Sequence, residues 1–282
     1  MIDFQNVTKR FGAVNAVDGL TTRISGDGIH CLLGRNGAGK TTLMKLIAGH
    51  FNATDGRVTV DGAIVSASRQ PGCVNFAESN AEQFNMRVSE LIQAADALRN
   101  GFDPAFARRM AQRFDLDQRK RFKQLSFGMK TMLSTILTLA NTSKVILLDE
   151  PALGLDAIMR EQFNMLLQES VELTPRVIIV STHLIDEIAK VARKLMIMDK
   201  GKVLAQADLD EVDERAYTLT GPANVVRPLT AGLRRIGETE VGGMLAAHIY
   251  DRRVTPPHGV TLERLPLQDF FVKLVGGGTR DE

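Results

Sequence analysis

The chain has no tryptophan, two tyrosines and two cysteines in 282 residues. A net charge of +2, with no aromatic-basic surface or basic arm, gives no warrant for a nucleic-acid binder. Cys31 and Cys73 form neither a disulfide framework nor a zinc pattern, and Cys31 sits in an apolar run that wants a small hydrophobe. Both cysteines therefore read as reduced, as in an intracellular protein. There is no signal peptide and no 18-residue apolar span, so any membrane role is expected to come through a partner. Internal repeats are absent. What is present is ordinary for a globular chain: 44% hydrophobic and 24% charged residues, enough for one large domain and a smaller one.

Against that plain background one stretch stands out. Gly34-Arg35-Asn36-Gly37-Ala38-Gly39-Lys40-Thr41-Thr42 fits the phosphate-binding pattern G-x-x-x-x-G-K-[ST]. The apolar run Ile29 to Leu33 before it reads as a buried strand. Leu43, Leu46, Ile47 and His50 behind it recur at helical spacing. A strand, a glycine turn and a helix start aim backbone N–H groups and the positive end of the helix dipole at one point. Asn36, Gly37, Ala38, Gly39, Lys40, Thr41 and Thr42 are thus expected to hold a nucleoside triphosphate. Lys40 would reach the β- and γ-phosphates, and Thr41 would ligate Mg2+.

Residues 2–25 alternate loosely and break at Gly12 and Gly19, suggesting short antiparallel strands. Phe11 is either a core residue or a platform on which a flat base stacks. Val58 to Gly62 reads as a strand and turn. Residues 77–139 read as helical, with Val88, Leu91, Ile92 and Ala95 on one face and an Asp103-Pro104 start ahead of Phe106, Met110 and Phe114. The basic run from Arg108 to Lys123 is a solvated helix face or a surface for anionic lipid or an acidic partner. Three apolar runs, Val145 to Asp149, Val177 to Ser181 and Leu195 to Met198, alternate with helical stretches and predict a parallel sheet covered on both faces. After Ala205 glycine and proline become frequent. A small α/β extension is expected there, with a strand at Met244 to Tyr250, a closing helix at Leu267 to Val275 and a disordered tail from Gly276.

A triphosphate site needs an acid at the end of a neighbouring strand to hold the metal. Asp149 and Glu150 emerge where the apolar run Val145 to Leu148 ends. Asp149 is assigned to Mg2+ and Glu150 to polarising an attacking water. With Leu147-Leu148-Asp149-Glu150-Pro151 in place, about the first 210 residues resemble the ATP-binding subunit of an ABC transporter. Leu125-Ser126-Phe127-Gly128-Met129 resembles that family's LSGGQ signature, Gly154-Leu155-Asp156 its D-loop and Ser181-Thr182-His183 its switch histidine.

The resemblance implies an α/β P-loop NTPase with a mainly parallel core sheet, an N-terminal antiparallel β subdomain, a helical subdomain at about 79–142, and an ATP-binding domain of 1–208 followed by an accessory domain of 209–282. It also implies that Ser126 and Gly128 act in trans on ATP bound by a second copy, that His183 contacts the γ-phosphate, and that Phe11 stacks on adenine. Glu78 falls at the Q-loop, where it would ligate Mg2+ and sense the permease. The partners implied are a second copy (or a homologous subunit) and a separate integral-membrane permease, with no nucleic acid. The location implied is cytoplasmic, on the inner face of the membrane. Four residues depart from the family pattern: Phe127 for a signature glycine, Met129 for its glutamine, Glu78 for the Q-loop glutamine and Leu153 for a D-loop serine. Such loosened motifs, with the ending Leu267 to Phe271, resemble bacterial exporters of drugs, peptides or antibiotics. A soluble ATPase of the same superfamily is the alternative.

Overall fold

Two long antiparallel strands, β1 (Ile2–Phe11) and β2 (Val14–Ile24), open the chain. The structure is a computed structural model that describes residues 1–78 and 85–277. Register shifts between Phe4 and Arg10 explain the loose alternation of the first strand. Gly19 does not break the second. It takes φ +57 inside β2, beside Asn6 at φ +48, so glycine here serves a bulge rather than a turn. The chain continues through β3 (Gly28–Gly34), α1 (Lys40–Ile47), β4 (Asp55–Val60) and β5 (Ala63–Ile64). The last two strands complete an antiparallel sheet of order β2-β1-β4-β5. Gly49 at φ +73 ends α1, leaving His50 exposed in a bend rather than on the helix face the sequence suggests.

Next comes β6 (Val74–Glu78), whose last two residues the sequence reading places in the helical region. It is a half-buried edge strand, so it lacks the continuous apolar run that marks its neighbours. The helices α2 (Val88–Leu98), α3 (Pro104–Arg113) and α4 (Phe127–Leu139) follow. The Asp103 carboxylate accepts the Phe106 N–H at 2.9 Å with Pro104 at the first helical position, as the sequence anticipates. The seven basic side chains from Arg108 to Lys123 are all exposed.

The core alternates β7 (Val145–Asp149), α5 (Ala157–Leu173), β8 (Val177–Thr182), α6 (Ile185–Ala189), β9 (Lys194–Asp199) and β10 (Lys202–Asp208). The six-stranded sheet has the order β10-β9-β3-β8-β7-β6 and is parallel except for its edge strand β10. Alternate residues face opposite layers. Cys31, Leu33, Ile146, Leu148, Ile178 and Val180 pack toward α4, α5 and α6, while Leu32, Leu147 and Ile179 pack toward α1 and the N-terminal sheet. The carboxyl ends of β3, β7 and β8 converge, which is where ligands bind in such sheets.

After α7 (Leu209–Arg215) come β11 (Ala216–Pro222), α8 (Ala223–Leu229), β12 (Arg235–Val241), β13 (Met244–Tyr250), β14 (Thr261–Arg264) and α9 (Leu267–Gly277). The strands form an antiparallel sheet of order β12-β13-β11-β14. One face has its own core of Tyr217, Leu219, Val226, Leu245, Ala247 and Ile249. The other carries Ile236 and Tyr250 against Phe270 of α9, and these belong to the same apolar cluster as the ATP-binding core. Gly276 and Gly277 lie in the last turn of α9, not in a loose tail; residues 278–282 fall outside the described residues. Burial of Leu267, Phe270 and Val275, at about 1.5–3 kcal/mol each, holds an 11-residue helix that would be marginal alone.

Candidate functional site

The P-loop closes around its own lysine. Gly34 ends β3, and Gly37 (φ +81) and Gly39 (φ +103) turn the chain into α1. A Cβ on Gly39 would stand 2.1 Å from the Ala16 carbonyl oxygen, so that position needs glycine for both space and backbone angle. The Lys40 ammonium is buried and donates to the Gly34 carbonyl at 2.7 Å. Its nearest carboxylate oxygen, on Glu150, is 4.0 Å away. No side chain caps α1, and the first helical bond runs from the Leu43 N–H to the Gly39 carbonyl. The amides of Lys40, Thr41 and Thr42 therefore precede the helical ladder. They line a cavity of about 320 Å³ with Ala16, Arg35 to Gly39, Asp149 and Glu150. Backbone donors, a dipole and a buried cation make this an anion site.

The acids stand where the sequence puts them, and β8 supports them. The Thr41 hydroxyl donates to Asp149 Oδ2 at 2.7 Å, while the Ser181 hydroxyl donates to Asp149 Oδ1. Ser181 also accepts the Glu150 N–H, at 3.0 Å on its hydroxyl and 3.1 Å on its carbonyl. Glu150 takes φ +49, a backbone state uncommon outside glycine, so its carboxylate is aimed by neighbours rather than by backbone preference. His183 Nδ1 lies 2.9 Å from Glu150 Oε2. A hydroxyl beside a buried carboxylate is a hard oxygen pair that suits magnesium arriving with a nucleotide, whose phosphates and waters would complete the shell.

Lys40, Thr41, Thr42, Asp149, Glu150 and His183 thus come together. Four other predicted residues do not join them. Phe11 is 44% exposed, which removes the core reading, yet it does not line the P-loop cavity. Its ring meets Phe51 edge-on at 5.4 Å, with the Lys9 ammonium 5.0 Å above it. Glu78 ends β6 in register with Asp149 of β7, but its carboxylate pairs with Lys45 of α1 and does not line the P-loop cavity. Ser126 caps α4 by accepting the Met129 N–H at 3.2 Å. Gly128 lies against the Gly154 carbonyl oxygen, 2.8 Å from where a Cβ would stand. Neither Ser126 nor Gly128 lines this chain's own P-loop cavity. Phe127 is no intruder in the signature stretch, because its ring lies over Gly154, where a Cβ would come within 2.4 Å.

Sequence reasoning missed Ser181 as the tie between both acids, and Gly201, whose N–H donates to the Ala38 carbonyl at 3.0 Å from the turn between β9 and β10. Ser181 carried only the signal of a hydroxyl at a strand end, which does not name its partner, and Gly201 carried none.

Comparison with known proteins agrees with this geometry. The sequence profile of the ABC transporter family matches residues 17–153. The bacitracin transport ATP-binding protein BcrA of Enterococcus faecalis is 26% identical over 99% of this chain and 97% of its own length. A Nod factor export ATP-binding protein of Burkholderia lata is 30% identical over 73% of this chain and 70% of its own. A ribose import ATP-binding protein of Clostridium perfringens is 24% identical over 76% of this chain and 45% of its own. A solved ATP-binding cassette, dimeric in a post-hydrolysis state with ADP and Pi, superposes with a TM-score of 0.63 at 21% identity, over 74% of this chain and 99% of that one. The chain belongs to the ABC transporter family as an ATP-binding subunit, an ATPase.

Proposed function

We propose that this subunit is the motor of an exporter. Two copies close around two ATP molecules and drive a separate membrane permease that expels a drug, peptide or antibiotic. The observation that supports this reading is the similarity to the bacitracin transport protein, which runs through 99% of the chain and so includes the C-terminal sheet and α9, whereas the Nod factor exporter and the ribose importer alike match about three quarters of it. No helix among the described residues is long and apolar enough to cross a membrane; in this reading the permease is another polypeptide and this subunit sits on the cytoplasmic face.

Within each copy the P-loop amides and Lys40 bind the phosphates. Thr41 and Asp149 would hold magnesium, which supplies charge neutralisation at the phosphate oxygens. Glu150 accepts a proton from the water whose oxygen attacks the γ-phosphorus, as the bond to ADP breaks. His183 fixes the Glu150 carboxylate through the 2.9 Å contact. Ser126 and Gly128 serve the second copy's nucleotide, which accords with their distance from their own P-loop cavity. Phe11, exposed at the end of β1, offers its ring face to the adenine. Glu78, held by Lys45, sits at the joint to the permease.

The test is a tagged pull-down from detergent-solubilised membranes. A stoichiometric multi-span protein is expected. Recovery from the soluble fraction alone, bound to ribosomes or to nothing, would overturn the motor in favour of a soluble ATPase.

A further inference from the structure

Next to the P-loop cavity lies a second one of about 440 Å³, and the two share Arg35, Asn36 and Glu150. Its walls include His183, Ile185 and the D-loop Leu153, and one wall is Phe271, from the C-terminal helix more than eighty residues further along the chain. This ring is half-buried against the main core, while Val272 beside it is 54% exposed. Phe271 is held in place from two sides. Phe270 is fully buried with its ring centroid 4.9 Å from that of Tyr250, and α9 packs on both β12 and α6. α6 begins two residues after His183, and its first residue, Ile185, shares the cavity with Phe271.

We propose that Phe271 is a positioning residue for ATP hydrolysis, through which the C-terminal unit sets the Glu150–His183 pair. The geometry requires some such support. The His183 side chain is 54% exposed, so its own packing does not fix it, and Glu150 sits at φ +49, which backbone preference does not favour. An apolar ring in the wall of the same cavity limits the space open to both side chains and takes the place of water on that side. Electrostatic contacts strengthen in the drier space, and a small misplacement of a catalytic pair is expensive in rate. The inference rests on the reading of Glu150 as the residue that polarises water.

The experiment measures steady-state ATP hydrolysis and nucleotide binding on the full chain. Phe271→Ala should lower kcat about five-fold or more, with ATP affinity changed less than about two-fold. Phe271→Val should lose at least about two-fold, and so decides the matter if the alanine variant does not fold. Phe271→Tyr, which keeps the ring, should restore the wild-type rate. Leu274→Ala, on the same helix but off the cavity wall, is the packing control. The proposal is overturned if Phe271→Ala and Phe271→Val hydrolyse at the wild-type rate, or if Leu274→Ala loses as much kcat as Phe271→Ala does. Glu150→Gln run alongside separates the two readings, because wild-type hydrolysis there would remove the role of Glu150 and leave the Phe271 comparison to be read on its own. No permease is needed for any of these measurements, so they stand apart from the transport reading.

Discussion

At the scale of single residues, Lys40 and Ser181 make a useful contrast. Lys40 is buried, donates to the loop it belongs to, and has its nearest carboxylate oxygen at 4.0 Å, so its charge is available to phosphate. Lys40→Ala should abolish ATP binding in a calorimetric titration; retained affinity would refute the assignment of the phosphate site. Ser181 touches no substrate in this scheme, yet its hydroxyl donates to Asp149 and accepts from the Glu150 amide. Ser181→Ala leaves Asp149 Oδ1 without its donor in a buried place, at about 1–3 kcal/mol, while the Glu150 amide keeps the backbone carbonyl of residue 181 as acceptor. We expect a fall of about ten-fold in hydrolysis and a lower melting temperature, with a wild-type rate counting against the tie. Lys40 was legible because its spacing in the glycine loop is a local pattern. Ser181 was not, because its role depends on β8 lying beside β7 in register, a fact of tertiary pairing that no local spacing encodes.

Among the elements, α4 shows how one helix is fixed at both ends. Its N-terminus carries Ser126 as cap, and Phe127 lies over Gly154 of the loop after β7. Gly154→Ala would place a Cβ 2.4 Å from that ring at φ +76, so it should destabilise the chain, and the double variant with Phe127→Ala should recover part of the loss. Strict additivity in denaturant unfolding would show that the two loops are not coupled. At the other end the buried Arg176 donates to the Leu139 carbonyl at 2.8 Å and to the Asn141 carbonyl and the Ser170 hydroxyl. Burial lowers its pKa to about 10, and the negative end of α4 takes the place of a carboxylate partner. Arg176→Met should cost about 2–4 kcal/mol in unfolding free energy, partly restored by lysine. The sequence displayed α3 and α4 through a cap, a proline and apolar spacing. It hid β6 because an edge strand is only half-buried, and it hid Arg176 because a basic residue before a strand looks like surface until the helix end above it is known.

For the whole molecule, the decisive fact is that the C-terminal sheet shares its second face with the ATP-binding core, joining parts that composition alone separates near residue 209. The glycine- and proline-rich composition marked a change of architecture, but it could not show that Tyr250, Leu267 and Phe270 would merge with a core built largely from the first two hundred residues. Two histidines, His30 buried and His248 half-buried, report on this union, one in each part. His30 on β3 has its pKa lowered from 6.5 by burial, which outweighs the acceptor at the Gly26 carbonyl 2.8 Å away. His248 on β13 is lowered by burial and then by the charge of Lys273 on α9. The unfolded chain therefore takes up protons below about pH 6.5 that the folded chain refuses. Stability should be full above that value and fall as the pH drops toward the lowered folded values. A melting series from pH 8 to pH 5 should be flat and then decline, with His30→Asn and His248→Asn each shallowing the decline. Since the two parts share one apolar cluster, both variants should act on a single cooperative transition rather than on two. Separate transitions, each answering to one histidine, would mean that the face beneath α9 binds the parts too weakly for Phe271 to bear on the catalytic pair.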